Sequence, residues 1–122
     1  MNKTILIIDD DNKNTFALSA VLRSRGFACK AVANMVEAFE VLQTDPTVAI
    51  ILMDMMMPGM DGYEGIPTLK AMKEYGQLPI VAVTAQAMNG DRERCLATGA
   101  NDYLSKPVDV DKLVSMLNHY LV

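Results

Sequence analysis

The chain has 122 residues, of which 51% are hydrophobic and 21% charged. That suits one folded domain with one core and excludes a disordered chain. A net charge of −4 argues against direct nucleic-acid binding, which rests on a basic footprint. No apolar run approaches the ~20 residues that span a bilayer, so no membrane contact is expected.

The opening "MNKTILIIDD" holds a short apolar segment, residues 4–8, that runs straight into acids. It reads as a first strand and lacks the long apolar core of a signal peptide. A helix is expected over residues 15–25, with Leu18, Val21, Leu22 and Arg25 on one face, stopping at Gly26. Asp11 is read as a cap or an exposed acid. A second strand follows over residues 28–32. Asn34 is a good N-cap with Glu37 three residues on, which resembles a capping box; that helix should end near Asp45-Pro46.

The third strand, residues 48–53, is continuously apolar and delivers Asp54 where the run ends. A turn rich in Met, Pro and Gly follows. The third helix poses a problem, because "DGYEGIPTLKAMKEY" contains Gly65 and Pro67. Proline inside a helix loses a hydrogen bond and clashes with the carbonyl four residues back, here Tyr63. A late start near Ile66-Pro67, or a distorted first turn, is therefore expected. The fourth strand, residues 80–84, ends in Thr84. A short fourth helix follows, with Cys95 packed. The fifth strand, residues 102–105, is weaker and leads to Lys106-Pro107. The fifth helix is the clearest, with Val110, Leu113, Val114, Leu117 and Leu121 at helical spacing and Asp109 as cap.

Strands alternating with helices five times predict an α/β domain whose parallel sheet is covered on both faces. Ligands then bind beyond the carboxyl ends of the strands. Asp9, Asp10, Asp11, Asp54, Thr84 and Lys106 all fall at such ends and should converge on one edge. Neighbouring carboxylates repel, and a hard divalent cation relieves that repulsion. Magnesium keeps waters and accepts phosphate oxygens. A hydroxyl and a lysine beside it suit a phosphoryl group, and a carboxylate can form an acyl phosphate. Cys29 and Cys95 lack metal-type spacing and are expected as reduced cytosolic thiols. His119 is expected to be exposed and inert. Among the 10 methionines, Met55, Met57 and Met60 are read chiefly as core filler, with an adaptable partner surface as the alternative.

The pattern Asp9-Asp10, Asp54, Thr84, Lys106-Pro107, with "DMMMPGMDG" and "YLSKP", resembles the receiver domain of two-component response regulators over essentially the whole chain. The resemblance implies a flavodoxin-like, doubly wound (βα)5 three-layer sandwich in strand order 2-1-3-4-5, as one receiver domain over residues 1–122. It implies Asp54 as phosphoacceptor, and Mg2+ (or Mn2+) held by Asp9, Asp10, Asp54 and the Met56 backbone carbonyl, with Asp10 the stronger candidate for direct ligation. Thr84 and Lys106 would contact the phosphoryl group, with Lys106 paired to Asp54 beforehand. Tyr103 would be the aromatic switch, and the Lys106–Pro107 bond would be cis. Met56 and Gln86 would flank the water that hydrolyses the acyl phosphate, and the output face would span residues 89–121. The implied partners are a histidine kinase or histidine phosphotransfer domain and a downstream protein or the rest of a larger chain, with dimerisation a possible response. The expectation is a cytoplasmic signalling switch rather than a turnover enzyme.

Two alternatives are weaker. Aspartyl-phosphate phosphatases use Asp-x-Asp, and here Met56 stands two residues after Asp54. A degenerate receiver that only binds partners typically lacks one acid or the lysine, and none is missing. The run "TAQAMNGDRERCLATGANDYLSKPVD" resembles receivers of hybrid histidine kinases more than those of transcription factors. A free-standing domain or a fragment acting in a phosphorelay is expected.

Overall fold

The structure is a computed structural model that describes residues 3–85 and 90–121. Ten elements alternate: β1 (Thr4–Ile8), α1 (Asn12–Ser24), β2 (Ala28–Val32), α2 (Met35–Thr44), β3 (Val48–Asp54), α3 (Gly62–Ala71), β4 (Ile80–Thr84), α4 (Asp91–Ala97), β5 (Asp102–Ser105) and α5 (Val110–Tyr120). The strands form one parallel sheet in the order β2-β1-β3-β4-β5, so the expected topology holds.

Alternate residues of each strand feed two separate cores. Leu6, Ile8, Ile51, Met53 and Ala82 pack with Met35, Ala38 and Leu42 of α2, Ile66 and Leu69 of α3, and Cys95 of α4. Ile5, Ile7, Ile50, Leu52, Val81 and Val83 face the other way, onto Leu22 of α1 and Leu113 and Leu117 of α5. Period-two alternation thus becomes two apolar faces, each covered by helices. The central strands are buried at every position but Ala49, and this fixes their ends rigidly.

The helix boundaries follow from their caps. α1 begins three residues before the expected start because the Asp11 side chain accepts from the backbone N–H groups of Lys13 and Asn14. Its buried stripe is Thr15, Ser19 and Leu22, with Arg25 exposed at the C-cap. Two short polar residues on that stripe displaced the apolar count. α2 starts behind Asn34, whose side chain accepts from Glu37 N–H. Glu37 reaches back to the N–H of Ala33, one residue before the cap.

The late start expected for α3 is wrong. The helix begins at Gly62, and Pro67 lies inside it. The Asp61 side chain accepts from Glu64 N–H at 3.1 Å, and its carbonyl accepts from Gly65 N–H at 2.8 Å. The first turn is therefore closed upstream of the proline, which withholds a donor only from the Tyr63 carbonyl. Gly62 and Gly65 let this turn approach the sheet. A Cβ at Gly65 would meet the Met35 sulfur at 3.0 Å. One at Gly62 would lie 2.9 Å from Met55 Cα and 3.0 Å from the Asp54 carbonyl oxygen.

The Met55 Cα and Asp54 carbonyl contacts at Gly62 are with backbone and cannot be relieved by a rotamer change. Gly62→Ala should lower stability by about 1–3 kcal/mol, as overpacking does. Urea unfolding of the two proteins side by side measures it, and equal midpoints would contradict the tight approach.

Candidate functional site

β1 and β3 are neighbours in register, with Ile8 opposite Met53, so the residues that follow each arrive together. Asp9 is 4% exposed and Asp54 5%. One oxygen each of Asp9, Asp10 and Asp54 lies within 4.8 Å of the others. Asp10 is exposed at the rim. Three hard carboxylate donors converging on one point fit a small divalent cation that completes its shell with water.

Asp9 is held on every side. One oxygen accepts from Asp11 N–H at 2.9 Å, and the other from the Asn14 amide at 3.0 Å and the Lys106 ammonium at 3.0 Å. Burial pushes its pKa up, but these donors outweigh burial and hold it below the usual carboxylate value. Asp54 has less support. Its carboxylate accepts from Met56 N–H at 3.2 Å, and Lys106 stands 3.6 Å away. Burial, with the Asp9 charge adding to it, pushes Asp54 up to about 6. Lys106 thus pairs with Asp54, as expected, and more closely with Asp9. Burial lowers the lysine pKa, and the two carboxylates more than restore it, so it is raised.

Thr84 is fully buried at the end of β4, and its carbonyl accepts from Lys106 N–H at 2.8 Å. That bond carries the chain from β5 back along the edge. The next peptide, Lys106–Pro107, is cis, as the resemblance implied. In the turn after β3, Met55 and Met57 are buried while Met56 (48% exposed) and Met60 (36%) face outward. The methionines thus divide between core and surface. Gly59 in this turn has φ +76°, a left-handed conformation that glycine takes without strain.

Tyr103 is half-buried on the same sheet face as Thr84, opposite Ala82. Its hydroxyl donates to Asp91 at 3.3 Å. Sequence reasoning missed Asp91 and Asn14: a charge in "GDRER" reads as solvated, and Asn14 reads as ordinary helix surface. Gln86 and Asn89 lie outside the described residues. Cys29 and Cys95 are both buried free thiols, and His119 is exposed. Among the described residues no helix is long and apolar enough to cross a membrane.

The family profile of the response regulator receiver domain matches residues 5–118. The two-component response regulator ORR5 of Oryza sativa is 35% identical over 114 residues, covering 91% of this chain and 85% of that protein. The receiver domain of the sensor histidine kinase PA1611 from Pseudomonas aeruginosa, solved with a magnesium ion coordinated in its active-site cleft, superimposes with a TM-score of 0.86 at 35% identity and covers 98% of both chains. The receiver domain of the Saccharomyces cerevisiae response regulator Ssk1, solved with the histidine phosphotransfer protein Ypd1, gives a TM-score of 0.86 at 26% identity over 98% of this chain and 88% of the other. The chain belongs to the receiver-domain family of two-component signalling.

The raised pKa of Asp54 fixes the sign of a pH dependence. Burial pushes the folded Asp54 carboxyl up to about 6, from an ordinary value of 3.8. Its proton is retained on folding, so its contribution to stability is full below the unfolded pKa and is lost as pH rises through about 6. In metal-free buffer at pH 7, Asp54→Asn should be more stable than the wild type by about 2–3 kcal/mol. The gap should close as pH falls toward about 4. Urea midpoints across this range test it, and a wild type more stable than the variant at pH 7 would contradict the assignment.

Proposed function

We propose that Asp54 is the phosphoacceptor of a receiver domain spanning residues 1–122, taking its phosphoryl group from a phosphohistidine on a histidine kinase or histidine phosphotransfer domain. An Asp54 oxygen attacks phosphorus, the P–N bond breaks, and the imidazole leaves with the electron pair. The product is an acyl phosphate on Asp54 and a free histidine.

The observation that carries this reading is the poorly compensated charge of Asp54. It is buried beside a second carboxylate, and its ammonium partner leans toward Asp9. Asp9, Asp10 and Asp54, with the Met56 backbone carbonyl, would hold Mg2+ or Mn2+. A bound cation would neutralise the phosphoryl oxygens and the charge that develops on transfer. Asp9 keeps its orientation through Asn14 and Asp11 while this happens. Lys106 lies within reach of both acids and would follow the added negative charge. Thr84 would supply its hydroxyl to a phosphoryl oxygen.

The added charge biases an equilibrium between two conformations. The face built by α4, β5 and α5, roughly residues 89–121, is the output surface, where a downstream protein, the remainder of a larger chain or a second copy docks. The domain acts as a switch and not as a turnover enzyme, in the cytoplasm, where phosphohistidine donors of this kind work. The presence together of both acids, Thr84 and Lys106 disfavours a degenerate receiver that works without phosphorylation.

Incubation with acetyl phosphate and magnesium should add one phosphoryl group to the intact mass. The adduct should be absent from Asp54→Asn and from metal-free samples. An adduct of equal size in the variant would remove Asp54 from its role. The lifetime of the adduct is also open to test. Met56 extends an apolar side chain outward beside Asp54 and cannot orient an attacking water. Slow self-dephosphorylation follows, and Met56→Asn should accelerate it severalfold, read as the decay rate of the adduct after the donor is removed. An equal or slower decay would dismiss this account.

A further inference from the structure

Asp91 is the first residue of α4 and only 2% exposed, yet it carries a carboxyl group. A buried carboxyl group is costly unless donors reach it. Among the described residues two do, from two different elements. The Tyr63 hydroxyl of α3 donates to Oδ1 at 3.2 Å, and the Tyr103 hydroxyl of β5 donates to Oδ2 at 3.3 Å. Tyr63 also touches α4 at two further residues. Its hydroxyl lies 4.0 Å from the Cys95 sulfur, and the Arg94 guanidinium stacks 5.0 Å from its ring centroid. Burial raises the pKa of both phenols, that of Tyr63 to about 12, and the nearby Asp91 adds to the rise, so both stay protonated and remain donors.

We infer that Asp91 is a positioning residue for the switch tyrosine, its carboxylate tying Tyr103 and Tyr63 to the first turn of α4. The inference rests on the proposed function and on the aromatic-switch role that the resemblance implies for Tyr103, a ring that turns inward after phosphorylation of Asp54. Tyr103 cannot leave without withdrawing one of the two hydroxyls that satisfy a buried carboxyl group. That loss is relieved when α4 shifts to give Asp91 a new donor or water. Tyr63 of α3 meets α4 at Asp91, Arg94 and Cys95, so a shift of α4 is felt at this ring as well. The ring movement on β5 is in this way converted into a movement of α4, and the two are coupled at one side chain.

The substitutions follow from oxygen counting. Asp91→Asn has one acceptor oxygen where the wild type has two, so one tyrosine loses its acceptor and faces an uncharged NH2 group instead. Tyr103→Phe removes one hydroxyl and leaves Asp91 intact. The full chain, unphosphorylated and with its 4 tyrosines carbon-13 labelled in the ring, reports both ends of the tie by NMR. The Tyr103 signal is assigned by its absence in Tyr103→Phe. In Asp91→Asn the Tyr103 signal should move, and amide exchange in the remainder of α4 should quicken about tenfold, as expected for loss of a hydrogen bond to a charged group. Tyr103→Phe alone should quicken α4 exchange to a similar degree, and adding Asp91→Asn to it should bring little more.

A Tyr103 signal that stays in place in Asp91→Asn, or exchange effects of the two substitutions that simply add, would overturn the tie. Should Asp91→Asn not fold, α4 exchange in Tyr103→Phe decides alone, and an unchanged rate overturns the inference. Acetyl phosphate then separates the two levels of the argument. A wild-type Tyr103 signal that moves on phosphorylation while α4 exchange stays fixed overturns the coupling. No phosphoryl adduct on Asp54 overturns the reading beneath it and leaves the resting-state result standing.

Discussion

Two carboxylates, Asp9 and Asp54, are buried side by side where β1 and β3 end, and neither can move away. Asp9 follows and Asp54 ends a strand with no exposed residue, so turning either acid toward solvent would mean expelling apolar side chains from two cores. Like charges at this separation in a poorly solvated edge resist joint ionisation. The edge answers asymmetrically. Asp9 receives a backbone N–H, an amide and an ammonium, whereas Asp54 receives one backbone N–H and a more distant ammonium. The repulsion is thereby concentrated on Asp54, the acid with the most to gain from a cation or a change in its own chemistry.

The same constraint explains why the turn after β3 is built as it is. The N-terminus of α3 must pass against Asp54 and Met55 closely enough to leave no room for a Cβ at Gly62. Asp61 caps the helix there and Gly59 reverses the chain. On the opposite side of the sheet end, the Lys106 N–H fastens to the Thr84 carbonyl, which delivers the ammonium to the acids. The acids, the ammonium and Thr84 are thus gathered at one edge while the central strands stay apolar between their ends.

The central strands were legible in the sequence because a fully buried parallel strand is a run of apolar residues with little to confuse it, and the partly exposed edge strands β2 and β5 were placed by their position between helical segments. The acidic edge was legible for a related reason: once the strands are placed, the topology dictates which residues end together. Helix starts were less so. A propensity argument at Pro67 lost to capping by Asp61, and at α1 the apolar count began after Asp11 had already closed the first turn. Side-chain pairing was the least legible. The preference of Lys106 for Asp9 over Asp54 is settled by differences below an ångström. No local pattern states it. Asp91 shows the limit most clearly, since Tyr63 and Tyr103 lie on either side of it in sequence, 28 and 12 residues away.

Asp91 and the acidic edge are versions of one device. Each holds a buried carboxyl group whose donors come from separate elements, so its comfort depends on how those elements are arranged. At the edge, Asn14 of α1 and Lys106 beyond β5 are brought to Asp9. At α4, Tyr63 of α3 and Tyr103 of β5 are brought to Asp91. β5 and the residue that follows it serve both sites, with Lys106 at one and Tyr103 at the other. A redistribution of charge at the first site that draws on Lys106 pulls on the strand that also presents Tyr103. Packing alone would transmit that pull weakly, because apolar contacts are non-directional. A hydrogen bond to a buried carboxylate is directional and costly to leave unmade, so it converts a small displacement into a choice between two arrangements.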